Sequence, residues 1–177
     1  MKVVTAPESY IMQDGDICCF LAGGITNCWD WQKHIIDKLS QYSDTEHLVL
    51  INPRRESFDI NDPTASDKQV EWEFNWLEKM DIFSMYFADS ESVQPICMYE
   101  LGRNLLRMQM RFPTKWQNRL VISSEFGYKR KFDVMKQTNL ATLGNIVHAY
   151  NEDNVECAEV HAREIYFAYS KIVKYGV

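Results

Sequence analysis

Four short apolar runs, each followed by a stretch with helical spacing, set the limits on what this chain can fold into. They are ICCFL (Ile17–Leu21), HLVLI (His47–Ile51), DIFSMYF (Asp81–Phe87) and RLVIS (Arg119–Ser123). None alternates apolar with polar residues over its length, so each reads as a strand covered on both faces. Between and after them, apolar residues recur at helical intervals. Trp31, Ile35, Ile36 and Leu39 do so over 30–40, with Thr26 and Asn27 as capping candidates. Val70, Phe74 and Leu77 share one side of a helix over 66–79, with Trp72, Trp76 and Met80 alongside. Met98, Leu101, Leu105 and Met108 define a helix that starts at Pro95 and stops before Pro113. Residues 132–140 are helix-like, and Ala158, Ala162, Ile165, Ala168 and Ile172 mark a closing helix over 155–175. Asn145–Tyr150 is the candidate for a short fifth strand, and the first dozen residues give no clear element.

Strand and helix in alternation predict an α/β fold: a parallel sheet, helices on both faces, right-handed crossovers. The 177 residues show no internal repeat or boundary and read as one domain over 1–177. Ligands in such folds sit at the carboxyl ends of the strands, near the switch in strand order. The loops to inspect therefore follow Leu21, Ile51, Phe87 and Ser123.

Charge and cysteine usage narrow the partners. A net charge of -6 excludes a broad binder of phosphate backbones, so no nucleic acid is expected. Five cysteines, an odd number without zinc spacing, read as free thiols in a reducing compartment. Glu8, Asp14 and Asp16 stand where a leader would be basic and then apolar, and no apolar run approaches the roughly 20 residues of a membrane span. A cytoplasmic protein without membrane contact is the expectation. The four histidines show no ligand spacing, and His161 to Glu164 reads as a solvated helix face, so no metal is expected.

Ala22-Gly23-Gly24 lets backbone approach a ligand but lacks the spacing of a dinucleotide or phosphate loop. Arg54 and Arg55 can hold a carboxylate or phosphate bidentately, or can pair in solvent with Glu56 and Asp59. Glu73 lies at the margin of an apolar stripe, where burial would raise its pKa, unless the face turns it to water. Glu100 stands beside Tyr99 in the first turns of the helix after the third strand, near the expected crevice; its alternative is a surface pair with Arg103 or Asn104. Two carboxylates at one crevice suit glycosyl chemistry, in which one attacks the sugar.

Five runs, in this order, carry a resemblance: FLAGGITNCWDWQ (Phe20–Gln32), INPRR (Ile51–Arg55), QVEWEFNWLEKMDIF (Gln69–Phe83), YELGR (Tyr99–Arg103) and GYKRKFDVMKQ (Gly127–Gln137). Together they resemble the nucleoside 2-deoxyribosyltransferase-like family, in its bacterial and phage branch. The resemblance implies a flavodoxin-like (Rossmann-like) three-layer sandwich with a five-stranded parallel sheet. It implies base exchange on a 2′-deoxynucleoside through a covalent deoxyribosyl ester, with no cofactor or metal. Carried over by motif, Glu100 is the nucleophile and Glu73 the carboxylate for the sugar hydroxyls, where transferases more often carry Asp. Gly23 and Gly24 line the sugar and base site with Trp31 nearby, and Asn52, Arg55, Tyr99 and Tyr128 are wall candidates. Phe20 stands where the family has a tyrosine, and Gln94 where it has an aspartate, which leaves Asp89 as the substitute proton carrier. Homo-oligomers whose subunits complete one another's sites are also implied.

Two other readings stay open. A hydrolase of deoxynucleoside monophosphates would use Arg54, Arg55, Arg130 and Lys131 for the phosphate. A binding protein would keep the fold without turnover.

Overall fold

The computed structural model describes residues 1–55, 57, 61–144, 147–148 and 153–176. Six strands, β1 (Lys2–Thr5), β2 (Ile17–Gly23), β3 (Leu48–Asn52), β4 (Ile82–Phe87), β5 (Leu120–Ser124) and β6 (Val147–His148), form one sheet. Their order is β1-β3-β2-β4-β5-β6, and every neighbouring pair is parallel. Without β1, the order of the other five is that of flavodoxin-like sheets. The expected five-stranded parallel sheet is thus present, with one more strand laid on its edge. Only Val4 of β1 is buried, because an edge strand has a single neighbour, and KVVT carries too short an apolar signal to be read as a strand.

Five helices cover the two faces: α1 (Trp31–Leu39), α2 (Ala65–Leu77), α3 (Pro95–Arg111), α4 (Lys131–Thr142) and α5 (Asn154–Tyr175). Alternation along each strand divides the core in two. Phe20, Ile51, Phe83, Met85 and Phe87 pack against α2, α3 and α4 through Trp76, Leu101, Leu105, Met108 and Val134. Cys19, Leu21, Leu50 and Tyr86 pack against α1 and α5 through Trp31, Ile35, Ala158, Ala162 and Ile165. This is the three-layer sandwich. Among the described residues, no helix is long and apolar enough to cross a membrane.

Three local expectations change. Asp30, not Thr26 or Asn27, caps α1 by accepting from the Lys33 N–H at 3.0 Å. Helix α2 is rolled about its axis, so that Val70 and Phe74 face out while Gln69, Trp72, Glu73 and Trp76 turn inward to varying degrees. His161 is not on a solvated face: it is fully buried between the hydroxyls of Ser84 (2.8 Å) and Ser123 (2.7 Å). Both ring nitrogens thereby meet a partner that can donate or accept. Of the stretch 145–150 only the two residues of β6 are described, and the rest lies outside the described residues.

The end of β2 admits no side chain at Gly23. Gly23 has φ +152°, and a Cβ there would lie 2.2 Å from the Tyr86 carbonyl oxygen and 2.6 Å from the Trp31 ring. Trp31 stacks on Tyr86 with ring centroids 4.7 Å apart, and its Nε1 donates to the Gly24 carbonyl at 2.8 Å. Backbone and indole leave no room for a methyl group. Gly23→Ala is therefore expected to cost about 3 kcal/mol or more. Chemical denaturation checks this; a loss below about 1 kcal/mol would show that the turn relaxes freely.

Candidate active site

A cavity of about 210 Å³ opens at the carboxyl ends of β2 and β4, the point where the chain reverses its direction of travel across the sheet. That is where the fold leaves room for a ligand. Phe20 and the Gly23–Thr26 turn form one wall, Gln94, Cys97 and Glu100 of the α3 end another, and Pro53 and Glu73 close the side. Among the described residues, none of the side chains lining it is cationic.

Two carboxylates from different helices meet there. Glu73 projects inward because α2 is rolled, and Gln69 Nε2 bridges it to the Pro53 carbonyl. Burial raises the Glu73 pKa, while the bond from Gln69 and the charge of Arg55 pull it back. Burial, and secondarily the charge of Glu73, push Glu100 up to about 7; Arg103 opposes this weakly. The surface pair with Arg103 or Asn104 does not form: Arg103 binds Glu78, and Asn104 Nδ2 donates to the Glu100 backbone carbonyl at 2.9 Å. Among the described residues, no side chain donates to the Glu100 carboxylate. An unneutralised carboxylate, next to a second one, with a pKa near 7 is the kind of group found where chemistry occurs.

The other candidates divide. Gly23 and Gly24 line the cavity, and Gly24 is held close to the Gln94 amide, whose oxygen would sit 2.5 Å from an added Cβ. Trp31 does not reach the cavity: it is fully buried under the turn and holds it from below. Tyr128 is buried and donates to the Val93 carbonyl at 2.8 Å, away from the wall it was assigned. Tyr99 points outward and is 70% exposed. Asn52, which accepts from the Arg54 N–H, and Arg55, which donates to the Ala65 carbonyl, line a separate groove with Lys33 and Asp30. Arg54 is tied to Asp30, Gln32 and the Trp29 carbonyl; Glu56 and Asp59, its suggested solvent partners, lie outside the described residues. Asp89 is exposed beyond β4, packed on Gly127, and does not line the cavity.

Two residues gain importance that sequence reasoning did not give them. Glu125 is fully buried and accepts from Trp29 Nε1 (2.6 Å), Tyr86 OH (2.7 Å) and the Asp89 backbone N–H. Burial raises its pKa, and these three bonds oppose the rise. Gln94, 5% exposed and left-handed at φ 48°, caps the approach to α3 and ties its Nε2 to the Ala88 carbonyl at 2.6 Å. The position of Glu125 at the end of a strand was the available signal for it. The left-handed turn at Gln94 had none, since glutamine carries no preference for that conformation.

A family model described as nucleoside 2-deoxyribosyltransferase like matches residues 17–112, more than half of the chain and every residue that lines the cavity. No curated protein matches the chain.

The raised Glu100 pKa has a consequence for stability. The folded state holds the proton more tightly than the unfolded chain, so this contribution is intact below the usual carboxylate range and is lost as pH rises through about 7. Glu100→Gln, which mimics the neutral acid, is expected to be more stable than the native protein by on the order of 2 kcal/mol near pH 8. The gap should close at about pH 4.5. Urea unfolding at both pH values tests this, and a gap that does not vary with pH would refute it.

Proposed function

This chain belongs to the nucleoside 2-deoxyribosyltransferase-like family, and on that premise we propose that it exchanges the base of 2′-deoxynucleosides through a deoxyribosyl ester on Glu100. The observation that carries the proposal is the meeting of Glu100 and Glu73 in one cavity at the switch point of the sheet.

Glu100, ionised, attacks the anomeric carbon as the C–N bond breaks. The bonding pair leaves with the base, which takes up a proton from solvent, and an ester joins the sugar to Glu100. Glu73 accepts from the sugar hydroxyls and, by its charge, spreads the positive character that develops on the ring. A second base then attacks the same carbon from the vacated face, loses its proton and frees Glu100. Two displacements retain the configuration. The chemistry uses no metal or cofactor.

Phe20 lines the cavity with no hydroxyl to offer, and Asp89 lies outside it, so the Glu73–Glu100 pair is the titrating unit of the site. The distribution of cations favours an uncharged nucleoside over its 5′-monophosphate. Arg54 and Arg55 are engaged beside a separate groove, Arg130 pairs with Asp133, and Lys131 lies over the Phe126 ring.

Purified protein is incubated with each 2′-deoxynucleoside and a different free base, with and without the acceptor, and the products are separated. A new nucleoside is expected, at a rate that falls on the order of 10³-fold or more in Glu100→Ala, about 4 kcal/mol of barrier. Its kcat/KM should decline as pH drops below about 7, since only ionised Glu100 attacks. Free base alone in both tubes would make the protein a hydrolase. Ligand-induced stabilisation without product would make it a binding protein.

A further inference from the structure

Strand β1 does more than widen the sheet. It lies against β3 with Thr5 opposite Asn52, and there Val3 and Thr5 become one wall of a second groove, of about 200 Å³. The groove shares no lining residue with the Glu73–Glu100 cavity. The end of β3 divides the two: Pro53 turns to the cavity, its neighbours Asn52 and Arg54 to the groove. Val3 and Thr5 also precede the residues 17–112 that carry the family likeness, so this groove depends on a strand outside them.

Three cations meet in it, Lys33, Arg54 and Arg55, against one acid among the described residues, Asp30. In a chain of net charge -6 that is a local reversal of sign. Arg54 is oriented more than it is neutralised. Its guanidinium donates to Gln32 Oε1 at 2.8 Å and to the carbonyls of Cys28 and Trp29, none of which carries charge. Asp30 stands 3.4 Å from it and already accepts from the Lys33 N–H that it caps. Arg55 donates to the Ala65 carbonyl, again a neutral acceptor. Lys33 pairs with Asp37, but the two side chains are 69% and 60% exposed. Such a pair is worth little, so the ammonium can turn from it to a ligand. Guanidinium forks beside an ammonium match the oxygens of a phosphate group. Val3 and Ile36 add apolar surface beside them, along which a small organic group can lie.

We propose that this groove binds a phosphate group, free or as the monoester of a small molecule, and that its occupancy slows the neighbouring site. The phosphate is not that of a molecule undergoing cleavage, since groove and cavity are lined by different residues. The regulatory half of the inference rests on the base-exchange reading. Its link is Arg55, which lines the groove and whose charge favours the ionised form of Glu73. Around Glu73 stand Gln69 on its own helix, the neutral Pro53 after β3, and Cys97 and Glu100 on α3, where Arg103 partly offsets the Glu100 charge. A dianion beside Arg55 cancels the help that Arg55 gives. Both carboxylates then hold their protons to higher pH, and less Glu100 is ionised for attack in the acidic range.

Calorimetric titration of the full chain at low salt decides the site, with inorganic phosphate, deoxyribose 5-phosphate and a 2′-deoxynucleoside 5′-monophosphate as probes. At least one is expected to bind saturably with a Kd of about 1 mM or tighter, and at least about 10-fold more weakly in Lys33→Glu. That variant keeps the fold, because position 33 is the third of α1 behind the Asp30 cap, where a carboxylate is favoured. An ester that binds more tightly than inorganic phosphate identifies an organic occupant, and equal affinities identify the free ion; either upholds the site. No saturable binding by any probe, or an affinity that Lys33→Glu leaves unchanged, overturns it. In the base-exchange assay a saturating probe should lower kcat/KM at least about 2-fold at pH 6.5 and leave it unaltered at pH 8, and Lys33→Glu should abolish the difference. Equal inhibition at both pH values, or none, overturns the regulatory half while leaving the site. If the native protein turns over no nucleoside, the base-exchange reading fails, and with it the regulatory half, while the titration still decides the groove.

Discussion

The buried carboxylate of Glu125 holds together the loops on which the cavity depends. A carboxylate cut off from water is tolerated only when donors replace its hydration. Here they come from three places: the indole of Trp29 ahead of α1, the phenol of Tyr86 on β4, and the backbone N–H of Asp89 beyond β4. One side chain after β5 thus fixes the ends of three neighbouring strands. Tyr86 passes the constraint on, because its ring carries Trp31, and Trp31 holds the Gly24 carbonyl. The glycine turn that walls the cavity is set from beneath by residues that never reach it.

That rigid floor explains how two mutually repelling carboxylates are kept close. Glu73 and Glu100 sit on separate helices, and the repulsion between them favours moving apart. Helix α2 is anchored by Trp76 and Leu77 in the core, and α3 by Leu101, Leu105 and Met108. Between the anchors, Gln69 spans Pro53 and Glu73 and fixes the polar side of α2 toward the cavity. The cost appears in both places where a local rule is broken: acids half-withdrawn from water on the inside, and Val70 and Phe74 in solvent on the outside. Local rules fail most often at functional positions, and here two such failures are opposite sides of one helix.

The layout of the sheet was legible in the sequence because parallel strands buried on both faces leave continuous apolar runs, and four such runs did so unmistakably. Strand β1 was not, since an edge strand of four residues buries too little to write a pattern. The roll of α2 was misread for a related reason. Periodicity finds an apolar side but cannot say whether that side faces the sheet or awaits a partner, and α2 has apolar residues on both. Of the site candidates, Glu73, Glu100, Gly23 and Gly24 do line the cavity, where strand ends and a motif had put them. Trp31 and Tyr128 do not line the cavity, because an aromatic residue close in sequence to a cavity can as easily support it from below as face into it. Glu125 left no signal beyond its position, since its importance comes from donors contributed by residues 36 to 96 positions away.

Helix α3 gathers these constraints into one element. Its inner face is core, its first turns carry Cys97 and Glu100 into the cavity, and its outer face leaves Tyr99, Leu106 and Met110 exposed. A 17-residue helix is about 25 Å long, so its core anchors and the carboxylate it brings to the cavity share one rigid body. The core contacts of Leu101, Leu105 and Met108 therefore also fix where Glu100 stands, and the like-charge pair needs that fixing most. A glycosyl ester exposed to bulk water is consumed by it, at the concentration of the solvent itself. A transferase must therefore close the site over the ester while leaving a path for a flat base.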